Sequence, residues 1–133
     1  MFGCNYCSME YSKKLFDMGI VYDTEFVWHK PCAEMKWRRI PKILCGEPLT
    51  INASTLPCYT FMDIYRKLPM IIDIPKDTKA HLTIDMINEY MHRVSYNYYD
   101  DMSVLMGYES YINENLIHAA IDMYVYLMSK IKP

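Results

Sequence analysis

The sequence predicts an α+β fold, and three features of its patterning support that class. Short apolar runs typical of strands occur mid-chain, helical periodicity dominates the last third, and the two do not alternate regularly as in a wound α/β sheet. The chain has 133 residues, 52% hydrophobic and 23% charged, enough to bury a core and too apolar for a disordered tail. A formal net charge of −2 gives no global attraction to nucleic acid or acidic membranes.

The predicted elements begin with a hairpin in the middle of the chain. Residues 43–45 and 49–51 are short strand-like runs separated by a Gly-Glu-Pro turn. A helix then begins at Asn52 or Ser54, because either side chain can cap it, and ends at Pro69. Its apolar residues fall at near-helical spacing: Leu56, Phe61, Ile64, Tyr65 and Leu68.

A strand and two helices complete the predicted order. Residues 70–74 form a buried strand, and Asp77 or Thr78 caps a helix whose apolar stripe contains Leu82, Met86, Tyr90 and Val94. Residues 95–103 are polar and aromatic, which indicates a loop or a helix start. The last helix begins near Asn113 and is apolar over much of its circumference, so we expect it to be buried: Leu116, Ala120, Met123, Tyr124, Leu127, Met128 and Ile131.

Four potential zinc ligands near the start form the sharpest local motif. They have the spacing C-x2-C-x21-H-x2-C and are Cys4, Cys7, His29 and Cys32. Two-residue spacing lets one tight turn present two ligands, and four filled positions predict one structural Zn²⁺ and not a catalytic one. The alternative is a chance spacing of thiols in a reduced protein. The other two cysteines, Cys45 and Cys58, are predicted to be small buried hydrophobes.

The end of this motif resembles a known zinc domain. Residues 26–32 read Phe-Val-Trp-His-Lys-Pro-Cys, similar to the end of the first zinc site of LIM domains, where an aromatic residue precedes the H-x2-C pair. The resemblance covers roughly residues 4–32 and implies ligand roles for the same four residues. A LIM domain continues with a second C-x2-C finger, which is missing here, so the resemblance implies a single zinc knuckle.

A basic run follows the knuckle and offers a nucleic-acid hypothesis. It consists of Lys36, Trp37, Arg38, Arg39 and Lys42. Cations interleaved with an aromatic ring are typical of sites that hold a phosphate backbone and stack a base. The alternative is an ordinary solvated linker, since four charges in an acidic chain give only weak, salt-sensitive binding.

The remainder of the chain resembles the BTB/POZ superfamily of the elongin C and SCF-adaptor type, over about residues 43–131. Residues 49–61 resemble its second strand and first helix, residues 70–75 its next strand, residues 80–96 the following helix, and residues 114–127 the helix after that. The resemblance implies a domain that docks cullin scaffolds or substrate receptors. Its candidate contact residues, for which core packing is the alternative role, are Tyr96, Tyr98, Tyr99, Tyr108 and Tyr111.

These observations predict two domains, a zinc knuckle with a basic linker over residues 1–42 and an interaction domain over residues 43–133. The expected function is a non-enzymatic protein–protein interaction adaptor or assembly subunit, linked to cullin-type ubiquitin ligases. The alternatives are a zinc-dependent nucleic-acid-binding or transcription-related factor and a structural subunit of a large assembly, including a viral one. An enzyme is not expected, because Cys58 with His81 or His118 lacks an orienting acid and an oxyanion hole.

The expected compartment is a reducing one, either the cytoplasm or the nucleus. The first residues do not have the pattern of a signal peptide, and no apolar run approaches the ~20 residues of a spanning helix. Five cysteines are too few, and odd in number, for a disulfide scaffold. The richness in Met, Tyr, Ile and Asn is also typical of an AT-rich genome such as that of a large DNA virus.

Overall fold

The computed structural model describes residues 5–45 and 50–131 and divides the chain into two compact units. Tyr6–Asp63 forms the first unit, and the described residues from Ile64 onward form the second, together with Asn5. The sequence places the boundary after Lys42, whereas the compact boundary follows Asp63. The later boundary arises because a strand after residue 50 pairs with a strand near residue 27.

The first unit contains one long helix and a three-stranded sheet. Helix α1 (Met9–Asp17) begins after Ser8, whose Oγ accepts a hydrogen bond from the Tyr11 N–H at 3.4 Å. The other elements are β1 (Phe26–His29), β2 (Arg38–Pro41), a 3₁₀ turn (Lys42–Cys45), β3 (Thr55–Cys58) and the short helix α2 (Phe61–Tyr65), which crosses the boundary. The strands form an antiparallel sheet with the order β2-β1-β3, and α1 packs against β3.

Two local predictions for this region need correction. The helix predicted from Asn52 or Ser54 to Leu68 is wrong, since Thr55–Cys58 is strand β3 and only Phe61–Tyr65 is helical. The helix begins later because Thr60 caps it: Thr60 Oγ1 accepts from the Asp63 N–H at 3.3 Å, and Asp63 Oδ2 accepts from the Thr60 N–H at 2.9 Å.

The predicted hairpin also differs from the observed elements. Residues 43–45 belong to the 3₁₀ turn and not to a strand. Residues 46–49, which contain the predicted turn, lie outside the described residues. Helix α1 was not anticipated at all, although Ser8 before a periodic apolar run is a standard helix start.

The second unit is a four-stranded antiparallel meander with one helix. Its strands are β4 (Ile71–Ile74), β5 (Thr78–Met86), β6 (His92–Tyr99) and β7 (Leu105–Asn113), adjacent in that order. Helix α3 (Leu116–Ile131) packs across β6 and β7. The predicted strand over residues 70–74 and the predicted last helix are therefore confirmed, as is the α+β class. The strand is not buried as predicted, however, because β4 is an edge strand on which Ile71 is 48% exposed.

The helix predicted through Leu82 and Val94 is wrong, because these residues belong to two neighbouring strands. The chain turns between them at Asn88, whose Oδ1 accepts hydrogen bonds from the backbone N–H groups of Tyr90 and Met91 at 2.8 and 3.0 Å. Residues 95–99, predicted as a loop or helix start, continue β6. The helix that the BTB/POZ resemblance implies over residues 80–96 is thus a strand pair in this structure.

The two faces of this sheet differ in polarity. One face carries Val94 and Tyr96, both fully buried, and α3 packs on it through a ring contact between Tyr111 and Tyr126. The opposite face is exposed and polar, with the Arg93 guanidinium bound to both carboxylate oxygens of Asp85 at 3.0 and 2.6 Å. In the described ranges 5–45 and 50–131, no helix has the length and apolar character needed to cross a membrane.

Candidate protein interface

The hairpin between β6 and β7 exposes a group of large apolar side chains. Met102 is 81% exposed and Tyr99 is 66% exposed, and three further residues on the same hairpin are also exposed. We call the whole group the hairpin tip: Tyr99, Met102, Val104, Leu105 and Met106. Contiguous exposed apolar side chains of this kind mark interaction sites more often than chance exposure does.

The turn that carries the hairpin tip is held in one conformation by Asp100. Its Oδ1 accepts hydrogen bonds from the backbone N–H groups of Met102 and Val104, at 2.8 and 2.9 Å. The Asp100 N–H also donates to the Val104 carbonyl at 2.9 Å, which closes a three-residue loop. Ser103 adopts a φ of 60°, the left-handed conformation that such loops require. The turn is therefore fixed by hydrogen bonds within the chain itself.

A second exposed apolar group lies at the other end of the same strands. Met86, Ile87, Tyr90 and Ile112 are each 45–63% exposed, and we call them the turn cluster. Met86 pairs with His92 on β6, and His92 pairs with Asn113 on β7. Because Tyr99 and Leu105 pair at the opposite end of β6 and β7, the two apolar groups lie at opposite ends of the meander.

An apolar groove lies within the second unit beside helix α3. Its volume is about 350 Å³, in the range of small-ligand sites. The lining includes Pro69, Tyr108, Tyr126 and Leu127, with Lys130 near the ring of Tyr126. Burial, and then a hydrogen bond with Tyr108, raise the pKa of the Tyr126 phenol. The lining also carries charged side chains, Lys67 and Asp73, beside its apolar and aromatic residues.

The five tyrosines predicted as contact residues have different surroundings. Tyr96 is fully buried and its hydroxyl donates to the Pro69 carbonyl at 2.6 Å, so its side chain is not available to a partner. Tyr99 belongs to the hairpin tip, and Tyr98 is half-buried. Tyr108 lines the groove, and Tyr111 donates to Glu109 at 2.7 Å.

Four of the five tip residues were missed by the sequence analysis. Met102, Val104, Leu105 and Met106 follow the acidic pair Asp100-Asp101 directly, in a segment interpreted as a loop. Apolar residues on both sides of an Asp-rich turn are a hairpin signal. That signal could have identified the tip, although it could not have shown that the apolar side chains stay exposed.

The predicted metal ligands are not gathered into one cluster among the described residues. Cys4 lies outside those residues. Cys7 is fully buried, with its Sγ 3.1 Å from Ser12 Oγ, whereas Cys32 is exposed. His29 Nδ1 lies 2.9 Å from Thr55 Oγ1. No group of three or more potential ligands occurs within residues 5–45 and 50–131, so the zinc site stays a prediction.

Cys7 lies beside a cysteine outside the motif, because its backbone N–H donates to the Tyr59 carbonyl at 2.8 Å, next to Cys58. Phe26 pairs with Cys58 and His29 pairs with Thr55, so Cys58 and His29 point to opposite faces of the sheet. Cys58 Sγ lies 3.9 Å from the Cys7 carbonyl oxygen. A hydrogen bond between the two thiols lowers the pKa of Cys7 and raises the pKa of Cys58. The prediction of a buried thiol is confirmed for Cys58, while Cys45 is only partly buried.

The basic run does not form one continuous cationic patch. Neighbouring residues of strand β2 point to opposite faces, which separates Arg38 from Arg39. The Arg39 guanidinium lies between the rings of Tyr6 and Phe26, 3.9 and 3.8 Å from their centroids. Lys42 forms an ion pair with Asp23. The other two members, Lys36 and Trp37, are exposed and half-buried respectively.

The three residues considered for catalysis, Cys58, His81 and His118, differ in burial and in their neighbours. Cys58 is buried against Cys7, His81 is exposed on β5, and His118 is buried on α3 with its Nδ1 3.4 Å from Asn115 Nδ2.

Compared with known proteins, the chain matches no family model, no curated protein and no solved structure. The hairpin tip is therefore the candidate site, on its geometry alone.

Proposed function

We propose that this chain is a non-enzymatic interaction protein that binds a protein partner through the hairpin tip. The observation that carries the proposal is the exposure of five large apolar side chains within the eight residues 99–106. Each Å² of apolar surface removed from water contributes about 25 cal/mol. A partner that covers the tip would therefore gain affinity from a compact set of anchors.

The composition of the tip supports a protein as the partner. Aromatic residues and Met are enriched at protein interfaces, and the unbranched Met side chain adapts to irregular clefts. The turn fixed by Asp100 lowers the entropy lost on binding, because the tip is already ordered. The expected complement is an apolar cleft wide enough to accept Met102 and Leu105.

The proposal does not depend on the BTB/POZ resemblance. The strand Ile71–Ile74 and the helix Leu116–Ile131 agree with it, but residues 80–96 are strands and not the implied helix. A cullin-type scaffold therefore enters as one partner that the test below would identify. A subunit of a large assembly would use the same tip, buried by its neighbours. The structural zinc ion and the nucleic-acid contact remain separate hypotheses for the first unit.

Affinity purification of the tagged full chain from its native host tests the proposal. We expect wild-type protein to capture a partner in stoichiometric amount and the double variant Met102→Ser/Leu105→Ser to lose it. The matched control is Met35→Ser/Met62→Ser, which removes two other exposed methionine side chains, 44% and 47% exposed, outside the hairpin. Equal capture by the tip variant and by wild type would refute the role of the tip.

A further inference from the structure

Two thiols of the first unit lie in contact in its interior. Cys7 is 0% exposed and Cys58 is 1% exposed, and a hydrogen bond joins the two thiols. A buried cysteine that only fills space behaves as a small hydrophobe and needs no polar neighbour. Here Ser12 Oγ lies 3.1 Å from Cys7 Sγ, and the Arg39 guanidinium donates a hydrogen bond to Cys58. The surroundings of the pair are therefore polar, which is typical of thiols that react.

We propose that Cys7 and Cys58 form a reversible disulfide when the protein meets hydrogen peroxide. The backbone segments that carry the two thiols are already joined. Tyr6 and Thr60 form an antiparallel bridge, and the Cys7 N–H donates to the Tyr59 carbonyl at 2.8 Å. Cys58 Sγ lies 3.9 Å from the Cys7 carbonyl oxygen. Because disulfides span Cα atoms about 4.4–6.8 Å apart, a separation similar to that between paired strands, we expect bridging to need mainly side-chain rotation.

The reaction balances with hydrogen peroxide as its only co-reactant. The Cys7 sulfur attacks one peroxide oxygen, the O–O bond breaks and one water leaves, so that Cys7 becomes a sulfenic acid. The Cys58 sulfur then attacks the Cys7 sulfur, the S–O bond breaks, and the hydroxyl leaves as a second water with the Cys58 proton. Two thiols are oxidised to one disulfide while one peroxide is reduced to two waters. The same balance holds if Cys58 reacts first.

Burial determines the rate of this oxidation and its effect on stability. Peroxide reaches the pair through local opening of the first unit, because neither residue is exposed to solvent. The exposed thiol of Cys32 should therefore react faster than Cys7. The disulfide joins positions 51 residues apart in sequence, which restricts the unfolded chain. The oxidised protein should therefore unfold at a higher urea concentration than the reduced protein.

Peroxide treatment of the full chain, followed by peptide mapping without reductant, tests the proposal. Trypsin places the two thiols on separate peptides, residues 1–13 and 43–66. We expect these peptides to be cross-linked, with a mass lower than their sum by two hydrogen atoms, and to separate again on addition of dithiothreitol.

Single substitutions identify the two sulfur atoms in the cross-link. Cys7→Ser and Cys58→Ser should each abolish it. The matched controls are Cys4→Ser and Cys45→Ser, because each removes the other cysteine of one of the two peptides and should leave the cross-link in place.

Trp28 offers a second measurement that does not depend on these variants. Its Nε1 donates to the Cys7 carbonyl at 3.1 Å, and a disulfide close to an indole quenches its fluorescence. In a Trp37→Phe background, which leaves Trp28 as the single indole, peroxide should lower the emission and dithiothreitol should restore it.

Three results would overturn the proposal. The first is wild-type protein in which peroxide leaves peptides 1–13 and 43–66 unlinked, which is decisive even if the Ser variants fail to fold. The second is a cross-link that survives Cys7→Ser or Cys58→Ser. The third is one zinc per chain that keeps Cys7 from reacting with peroxide. None of these results bears on the hairpin tip, because the tip lies in the second unit and the thiol pair in the first.

Discussion

Strand β6 contains the same kind of side chain in two opposite surroundings. Tyr96 is fully buried beneath helix α3, whereas Tyr99, three residues further along the strand, is 66% exposed. The difference arises because α3 covers the base of the β6–β7 hairpin and leaves its tip uncovered. Residue type therefore does not distinguish core from candidate interface in this protein. The position of each residue relative to α3 distinguishes the two.

The largest expected effect comes from truncating the buried tyrosine. Tyr96→Ala should lower the free energy of unfolding by about 3–5 kcal/mol, because it leaves a cavity under α3 and removes the hydrogen bond to Pro69. Tyr99→Ala should change it by less than about 0.5 kcal/mol. Urea denaturation of both variants measures the contrast. Comparable losses for the two would mean that the tip is as well packed as the base.

The cysteines of the first unit differ in the same way, because Cys7 is buried and Cys32 is exposed. Cys7→Ser puts a hydroxyl in a fully buried site and should cost about 1–3 kcal/mol. Cys32→Ser alters an exposed thiol and should cost less than about 0.5 kcal/mol. Urea denaturation and metal analysis of the purified proteins measure both effects. Equal losses, accompanied by release of one zinc per chain, would instead establish the metal site that the C-x2-C and H-x2-C spacing predicts.

The sequence predicted the class of fold and its long C-terminal helix, but not the meander. Residues 82, 86, 90 and 94 satisfy a helical spacing of four, yet they are all even-numbered and so equally satisfy the two-residue period of a strand. The deciding residues were Ala80 and Ile84, which extend the alternation, and Asn88, which turns the chain. Helix α3 was easier to predict, because its apolar residues occur at adjacent positions over sixteen residues, a pattern that a half-buried strand does not have.

The candidate site was predicted only in part, for a physical reason. The run of tyrosines in residues 96–99 indicated an interface, and Tyr99 lies in it. Burial, however, depends on where α3 ends over the sheet, which is a tertiary property that local pattern does not contain. The same holds for Cys7 and Cys58, which are 51 residues apart in sequence and meet because the Cys7 N–H donates a hydrogen bond to the Tyr59 carbonyl.

A smaller loss of stability is expected when only the hydroxyl of the buried Tyr96 is removed. Tyr96→Phe keeps the ring under α3 and should cost about 0.5–1.5 kcal/mol at neutral pH through loss of the bond to Pro69. Burial raises the pKa of Tyr96 to about 12, above its usual 10.0. The folded state thus keeps a proton that the unfolded state releases, so stability falls as the pH rises from 10 to 12.

Denaturation at a series of alkaline pH values measures that slope. Burial also raises the pKa values of Tyr59 and Tyr111 to about 12, so the variant should have a shallower slope than wild type but not a flat one. An unchanged slope in Tyr96→Phe would show that Tyr96 ionises as readily in the folded chain as in the unfolded one. Its burial beneath α3 would then be incomplete.

The smallest effect is expected on the polar face of the sheet, which α3 does not cover. Arg93→Ala removes the two-bond contact with Asp85 and should lower stability only slightly, because both side chains remain partly exposed to water. The hydrogen bonds from Arg93 hold the pKa of Asp85 below its usual 3.8, so this contribution is present above pH 3.8 and is lost as the pH falls through the lowered pKa. Urea denaturation at neutral and acidic pH, with and without added salt, measures it. A loss that persists in high salt and at acidic pH would come from packing of the Arg93 stem on the strand and not from its charge.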